Sequence, residues 1–429
     1  MSGTLEDMSF QKISVVGLGY IGLPTATLFA NSGFAVHGVD VTQSIIDAIN
    51  AGHAHFGEPK LDDMLGTVVG AGRLKASLTA EPADVFILAV PTPFKTNHDP
   101  DLEFVEAAAK TIAPVLACGN LVILESTSPV GTTEFVRDLL AAARPDLKFA
   151  GDGVASPDVH LAYCPERVLP GRILEELVNN ARVIGGLSPA CAELACKLYR
   201  TIVKGECRVT NARTAEMVKL SENSFRDVNI AFANELSVIC DRLGINVWEV
   251  IDIANLHPRV RILEPGPGVG GHCIAVDPWF IVSKTPEEAR LIHAARVVND
   301  GKPHFVVSKI EAAVRKLPRH PTIACFGLSF KPDVDDLRES PAIEIVHILC
   351  KKDIGRIVVV EPHVKVLPPS LTSFGVTLVN TAEAIRSADI LVFLVDHKEF
   401  RGLAPSSFGR KTVVDPRGIW ARKADPFAK

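Results

Sequence analysis

Lys12-Ile13-Ser14-Val15-Val16-Gly17-Leu18-Gly19-Tyr20-Ile21-Gly22, followed at a distance by Ala35-Val36-His37-Gly38-Val39-Asp40, decides the fold. The first five residues form a short apolar run ending in glycine, which predicts a buried strand. Pro24 to Ser32 carries a helical pattern, and Ala35 to Asp40 predicts a second strand ending in an acid. A GxGxxG string alone is weak; set between strand and helix, with an acid closing the next strand, it specifies a dinucleotide site. The first glycine makes the turn, the second admits the pyrophosphate, and the third lets helix and strand pack. The helix N-terminus stabilises phosphate charge. Asp40 accepts from ribose hydroxyls in such sites, which favours NAD over NADP. Gly17, Gly19, Tyr20, Ile21, Gly22 and Asp40 are the candidate cofactor contacts.

Working outward, Asp84 to Val90 and Leu121 to Glu125 read as further strands with helical stretches between them. That alternation predicts a parallel, doubly wound sheet. From Asn211 to Leu243 the pattern is one long helix, with Met217, Leu220, Phe225, Val228, Phe232, Leu236 and Ile239 at helical spacing and Gly244 as its stop. A second helical stretch is expected over Pro286 to Asp300. Leu317-Pro318-Arg319-His320-Pro321 reads as a linker. Beyond it the alternation restarts with strands at Thr322 to Phe326, Arg356 to Val360, Ile390 to Asp396 and Thr412 to Asp415. Glu361 repeats the strand-then-acid pattern of Asp40. The expected fold is α/β, with two Rossmann-like doubly wound domains joined by a long central helix and a helical domain. The expected boundaries are 1–210, 211–316 and 317–429.

Bulk properties narrow the function class. A chain of 429 residues is too long for one ordinary core. A net charge of −5 gives no reason to expect nucleic acid or an anionic membrane as partner. Ile13 to Ala30 is apolar enough to mimic a membrane span, but Gly17, Gly19, Gly22 and Pro24 suit a strand and helix better. Nine cysteines without paired spacing or a CxxC argue against a disulfide framework or a zinc site, so no metal is expected and the cytoplasm is the expected compartment.

One cysteine stands apart. Gly266-Pro267-Gly268-Val269-Gly270-Gly271-His272-Cys273 presents a thiol at the end of a glycine-rich run, with Asp277 four residues on. Glycines let backbone come close to another group. A nucleophilic thiol needs a helix N-terminus or a cation to lower its pKa. Lys219, on the long helix, is one candidate cation. Lys219, Asn223 and Arg226 share a helix face at i, i+4 and i+7. A solvated polar stripe is the ordinary explanation; flanking Phe225 and Val228 lean towards a site, with Lys219 and Asn223 as oxyanion donors. Asp277 either orients a lysine or water, or caps the turn before Pro278. Glu166, in Tyr163-Cys164-Pro165-Glu166-Arg167-Val168, is either a surface acid or a base that positions water.

Thr92, Thr127 and Thr133 follow sheet strands, where ligands gather in such folds. They are candidates for the nicotinamide end, with ordinary helix capping as the alternative. Lys331 and Arg338 follow the first strand of the second half and suit phosphate groups, or a solvated charged loop.

Long strings carry more than GxGxxG. Gly17 to Pro24, Tyr163 to Gly171, Lys219 to Glu235 and Pro265 to Phe280 together resemble the nucleotide-sugar 6-dehydrogenase family, over essentially Lys12 to Trp420. The resemblance implies an NAD domain, a central helical dimerisation and catalytic domain, and a C-terminal UDP-sugar-binding domain. It implies Cys273 as nucleophile, Lys219 as acid/base or oxyanion stabiliser, Asn223 and Asp277 in support, and Glu166 near the hydrolytic water. Arg167, Val168, Lys219, Asn223, Arg226, His257, Arg259, Gly270 and Lys331 would line the substrate site, with Arg259 reaching a neighbouring subunit's site and Arg338 a neighbour's cofactor in a homodimer. Two departures speak against glucose as the sugar: Pro170 stands where the glucose enzymes carry a second acid, and Val276 where they carry lysine. The substrate implied is UDP-N-acetyl-D-mannosamine, oxidised at C6 in two NAD-dependent steps for surface polysaccharide synthesis, with UDP-N-acetylglucosamine and UDP-glucose as alternatives. A two-electron dehydrogenase and a non-turning NAD sensor share the fold but have no use for Cys273.

Overall fold

The computed structural model describes residues 10–420 except 152, 155 and 170. It divides into two compact units, one ending at Glu222 and the other beginning at Asn223. The long helix Ala212–Leu243 runs through that boundary.

The first unit is built on an eight-stranded sheet. Its strands are β1 (Lys12–Val16), β2 (Ala35–Val39), β3 (Leu74–Ser77), β4 (Val85–Leu88), β5 (Asn120–Leu124), β6 (Val159–Tyr163), β7 (Arg182–Gly186) and β8 (Cys207–Asn211), in the order β3-β2-β1-β4-β5-β6-β7-β8. The order reverses beside β1, and ligands gather outside the carboxyl ends of strands at such a point. β4 and β5 are buried along their whole length, as continuous apolar runs in a parallel sheet should be. The purely parallel expectation fails at one place: β7 pairs antiparallel with β6 through Ala162↔Gly186 and Tyr163↔Gly185. The connection between them, which carries the short helix Ile173–Asn179, returns the chain in the opposite direction instead of crossing over.

The second unit carries a five-stranded parallel sheet, β9 (Thr322–Phe326), β10 (Arg356–Val360), β11 (Thr377–Leu378), β12 (Ile390–Phe393) and β13 (Thr412–Val414), in the order β11-β10-β9-β12-β13. Before it come the helices Val247–Ala254, Asp277–Lys284 and Arg290–Val314. The last differs from the stretch expected over Pro286 to Asp300. It starts later and runs on through Gly301 and Pro303. Proline lacks the N–H that would close its turn, but Pro303 is buried, with its ring 3.3 Å from where a Cβ on Gly268 would lie. Tertiary packing outweighs the local preference.

The apolar set expected along the long helix also splits. Leu220 is buried, whereas Met217, Phe225, Phe232 and Ile239 are 42–70% exposed in the single chain.

Candidate active site

In the first unit, the glycine turn after β1 is a cradle that side chains would fill. A Cβ on Gly17, whose φ is +90°, would lie 2.6 Å from the Ala89 carbonyl oxygen; one on Gly22 would lie 1.8 Å from the Gly17 oxygen. Gly19 faces open space. Gly17 and Gly22 have the close backbone approaches that a tight turn and helix packing require. Ile21 precedes the helix Gly22–Asn31, and Tyr20 packs on Phe56 with the rings tilted by 30° and their centroids 4.3 Å apart. Asp40 stands at the mouth of the turn, accepting from the N–H groups of Leu18 and Thr42 at 3.0 Å each. The residues present therefore fit a dinucleotide.

The threonines diverge. The Thr92 hydroxyl donates to the Thr127 carbonyl. Thr133 is buried, and both its N–H (2.8 Å) and its hydroxyl (2.6 Å) donate to Glu216, which also accepts from Gly131 N–H at 2.7 Å. Glu216 thus closes the N-terminus of the helix Thr132–Ala143, where a carboxylate is favoured.

Glu166 is turned inward. Its carboxylate meets Arg182 at 2.5 Å and accepts from the Arg167 N–H at 2.6 Å. Its backbone carbonyl accepts from the Lys219 ammonium at 2.7 Å. Arg182 is shared with a second buried acid, Glu125, at 3.6 Å. Burial pushes the Glu125 carboxyl up to about 7, against the pull of Arg182 and the donors Tyr199 and Thr25. Arg167 is half-buried, bonded to Glu222 at 2.7 Å and to the Ala181 carbonyl, and Val168 packs on the core.

In the second unit, Cys273 sits in a turn entering the helix Asp277–Lys284, and its carbonyl accepts from the N–H groups of Val276 (3.1 Å) and Asp277 (2.9 Å). Asp277 is buried and accepts from the Asn223 amide. The loop that presents Cys273 tolerates only glycine at key points. Gly271 has φ +83°, and a Cβ on Gly270 would lie 2.3 Å from the Glu339 oxygen. The Gly271 N–H donates to the Arg338 carbonyl at 3.2 Å. Burial lowers the Lys331 ammonium from its ordinary value; Arg226 pushes the same way, while Asp336 and Cys273 hold it up. Lys331 is therefore a cation in electrostatic reach of Cys273, beyond its expected place near phosphate. The Arg338 guanidinium is engaged by Asp336 at 2.7–3.2 Å. Arg226, His257 and Arg259 are exposed, and the Arg259 N–H donates to His257 at 3.3 Å.

Asp333, His363, His397 and Glu399 bring ligand-type atoms within 4.8 Å of one another. His397 is already used on both nitrogens: Nε2 lies 3.2 Å from Glu361, and Nδ1 accepts from the Asp333 N–H at 2.9 Å. Lys398, 3.4 Å from Asp333, supplies counter-charge. His363 Nε2, 3.9 Å from Asp333 and 3.8 Å from Glu399, is buried without a hydrogen-bond partner.

Several residues escaped the sequence reading. Glu216, Asp227 and Asn234 are fully buried polar groups on the long helix. With Lys219 and Asn223 they recur at spacings of three, four, four and seven, a signal readable as a polar stripe turned inward. Their partners, and Arg182, Arg296 and Asn299, carry no local signal.

Comparison with known proteins identifies the family. Models of the UDP-glucose/GDP-mannose dehydrogenase family match residues 11–203 (NAD binding domain), 213–301 (central domain) and 324–422 (UDP binding domain). The chain is 58% identical to an NDP-N-acetyl-D-galactosaminuronic acid dehydrogenase of Ralstonia nicotianae, covering 97% of this chain and 98% of the relative. It is 57% identical to a UDP-N-acetyl-D-mannosamine dehydrogenase of Yersinia pestis, covering 96% and 100%. Among solved structures, a UDP-D-ManNAc dehydrogenase from Pyrococcus horikoshii is similar at 42% identity and a TM-score of 0.86, over 95% of this chain and 96% of that one. The chain belongs to the UDP-glucose/GDP-mannose dehydrogenase family and is an NAD-dependent nucleotide-sugar dehydrogenase.

Proposed function

We propose that the chain oxidises C6 of UDP-N-acetyl-D-mannosamine from alcohol to carboxylate, with Cys273 as covalent nucleophile. The observation that carries this reading is Cys273 itself: a thiol framed by glycines, at the entrance of a helix, with Lys331 in electrostatic reach. NAD, when bound, would supply the hydride acceptor for each of two oxidations. In the first, the alcohol loses a hydride and a proton to become the aldehyde. The Cys273 thiolate adds to the carbonyl carbon, and the thiohemiacetal that results loses the second hydride and proton. Water then displaces the thiolate from the thioester, leaving carboxylate and free Cys273. Lys219 and Asn223 are assigned to stabilise the oxyanion, with Asp277 orienting the Asn223 amide. Glu166 is assigned to the hydrolytic water in the family pattern. Its inward ion pair with Arg182 favours a role in holding Lys219 through its carbonyl.

Gly17, Gly19, Tyr20, Ile21, Gly22, Asp40, Thr92 and Thr127 are assigned to NAD; Thr133 is assigned there less directly, because its hydroxyl goes to Glu216. Arg167, Val168, Arg226, His257, Arg259, Gly270 and Lys331 are assigned to the UDP-sugar, and Arg338 to a neighbour's cofactor. The division 1–210, 211–316 and 317–429 is supported by the bounds of the three family models. A homodimer is supported by the exposed Phe225, Phe232 and Ile239 of the long helix, since apolar patches of this kind mark contact surfaces. No helix among the described residues is long and apolar enough to cross a membrane, and we assign the chain to the cytoplasm, supplying a uronic acid sugar for surface polysaccharide.

The test is NADH formed per limiting UDP-N-acetylmannosamine with NAD in excess. Two per sugar is expected; one would remove the role of Cys273. The Ralstonia relative favours a second reading, the N-acetylgalactosamine sugar. A panel of UDP-N-acetylmannosamine, UDP-N-acetylgalactosamine, UDP-N-acetylglucosamine and UDP-glucose, ranked by kcat/KM, decides between them. Normal acid output from Cys273→Ala would sink the covalent step.

A further inference from the structure

We propose that Asp227, Arg296, Asn299 and Asn234 are positioning residues for Cys273, forming a buried network that clamps both ends of its loop. The inference rests on the reading of Cys273 as nucleophile. All four residues are at most 1% exposed. Asp227 and Asn234 lie on the long helix Ala212–Leu243, and Arg296 and Asn299 on the helix Arg290–Val314.

The connections are continuous. Arg296 Nη1 donates to Asp227 Oδ1 at 2.6 Å and to the Ile274 carbonyl at 3.5 Å, and Nη2 bonds to Asp300. Asn299 Nδ2 donates to Asp227, at 2.7 Å to the carboxylate and 3.1 Å to the backbone carbonyl. Asn234 Nδ2 donates to Asn299 Oδ1 at 2.8 Å, and Asn234 Oδ1 accepts from the Gly266 N–H at 2.9 Å. Gly266 opens the glycine loop, and Ile274 directly follows Cys273. One network therefore holds the loop at entry and exit, and between those points glycines leave the backbone few constraints of its own.

Stability alone is a poor reason for this arrangement. Asp227 Oδ2 and Arg296 Nε are buried without a hydrogen-bond partner, and a buried ion pair is often replaceable by apolar residues without loss of stability. Burial also raises the Asp227 carboxyl, against the pull of Arg296 and Asn299. A group kept at that cost is better explained by the geometry it imposes. A displacement of about 1 Å at a reacting group can reduce rate ~100-fold.

The test uses Asn234→Ala, which releases Gly266 without changing charge, and Arg296→Lys, which keeps a cation for Asp227 but loses the second bond to Ile274. Two quantities are read on the full-length protein. One is the steady-state rate on UDP-N-acetylmannosamine. The other is the pH profile of Cys273 alkylation by iodoacetamide, mapped by peptide mass spectrometry with exposed Cys118 as internal reference. Both variants are expected to lose about 10- to 100-fold in kcat with KM changed less than about 3-fold. Cys273 alkylation should shift in rate and pH midpoint while Cys118 stays constant. Folded variants with parental kcat and parental Cys273 alkylation would overturn the proposal, as would a fall in melting temperature with both readouts unmoved. If one variant fails to fold, the other decides. Acid formation by Cys273→Ala tests the nucleophile separately, and alkylation is readable whatever the sugar proves to be.

Discussion

Replacing Glu125 by glutamine removes one of two carboxylates that share the Arg182 guanidinium. The Glu125 side chain is fully buried, and burial raises its carboxyl from 4.5 to about 7. Because the folded value is the higher one, folded protein holds a proton between those limits that the unfolded chain has released. Stability must then fall as pH rises from about 4.5 to about 7, and level off above that. The full difference corresponds to about 3 kcal/mol. Glutamine imitates the protonated acid at every pH: it can accept from Tyr199, which donates to Glu125 at 2.8 Å, and it carries no charge for Glu166 to oppose. Glu125→Gln should match the parent near pH 4 and exceed it by up to about 3 kcal/mol at pH 8.

The chain provides its own probes. Tyr20, Tyr163 and Tyr199 all lie in the first unit; Trp248, Trp279 and Trp420 lie in the second. Urea unfolding followed by tyrosine absorbance therefore reports on the unit holding Glu125, and tryptophan emission serves as control. A difference between variant and parent that stays constant from pH 5 to pH 8 in the tyrosine transition would refute the reasoning. Tryptophan emission in the same titration shows whether the second unit unfolds together with the first.

Gly22→Ala puts a methyl group 1.8 Å from the Gly17 carbonyl oxygen; the turn must shift, costing roughly 1–3 kcal/mol, and NAD titration should show weakened binding. Asp40→Ala removes the acceptor for two backbone N–H groups, and the expected result is a KM for NAD raised about 10-fold or more with kcat less affected. Lys331→Met deletes a cation in reach of Cys273; the pH midpoint of Cys273 alkylation should rise, and an unchanged midpoint would remove Lys331 from the activation of the thiol.

What was legible in the sequence follows from range. The turn from Val16 to Gly22 depends on residues a few positions apart, and the closeness of Gly22 to Gly17 is already written in GxGxxG. The long helix was legible because its period persists over 32 residues. The second helix was expected to end at Asp300 but runs on through Pro303, which packs near Gly268, 35 positions away, and that packing leaves no mark beside it. The candidate site divides the same way. Cys273 was conspicuous through its own glycines, whereas Arg182 and Arg296 look like any helix or strand arginine until Glu166 and Asp227 are found against them. The long helix joins the two kinds of information. Glu216, Lys219, Asn223, Asp227 and Asn234 form a stripe that its period alone exposes, and each is matched by a distant partner: Thr133, the Glu166 carbonyl, Asp277, Arg296 and Asn299. A buried polar stripe without partners would be too unfavourable to keep, so once the fold shows these side chains buried, partners are required. Which residues they are is set by tertiary structure, and that is why the helix could be read early and the network around Cys273 only from the fold.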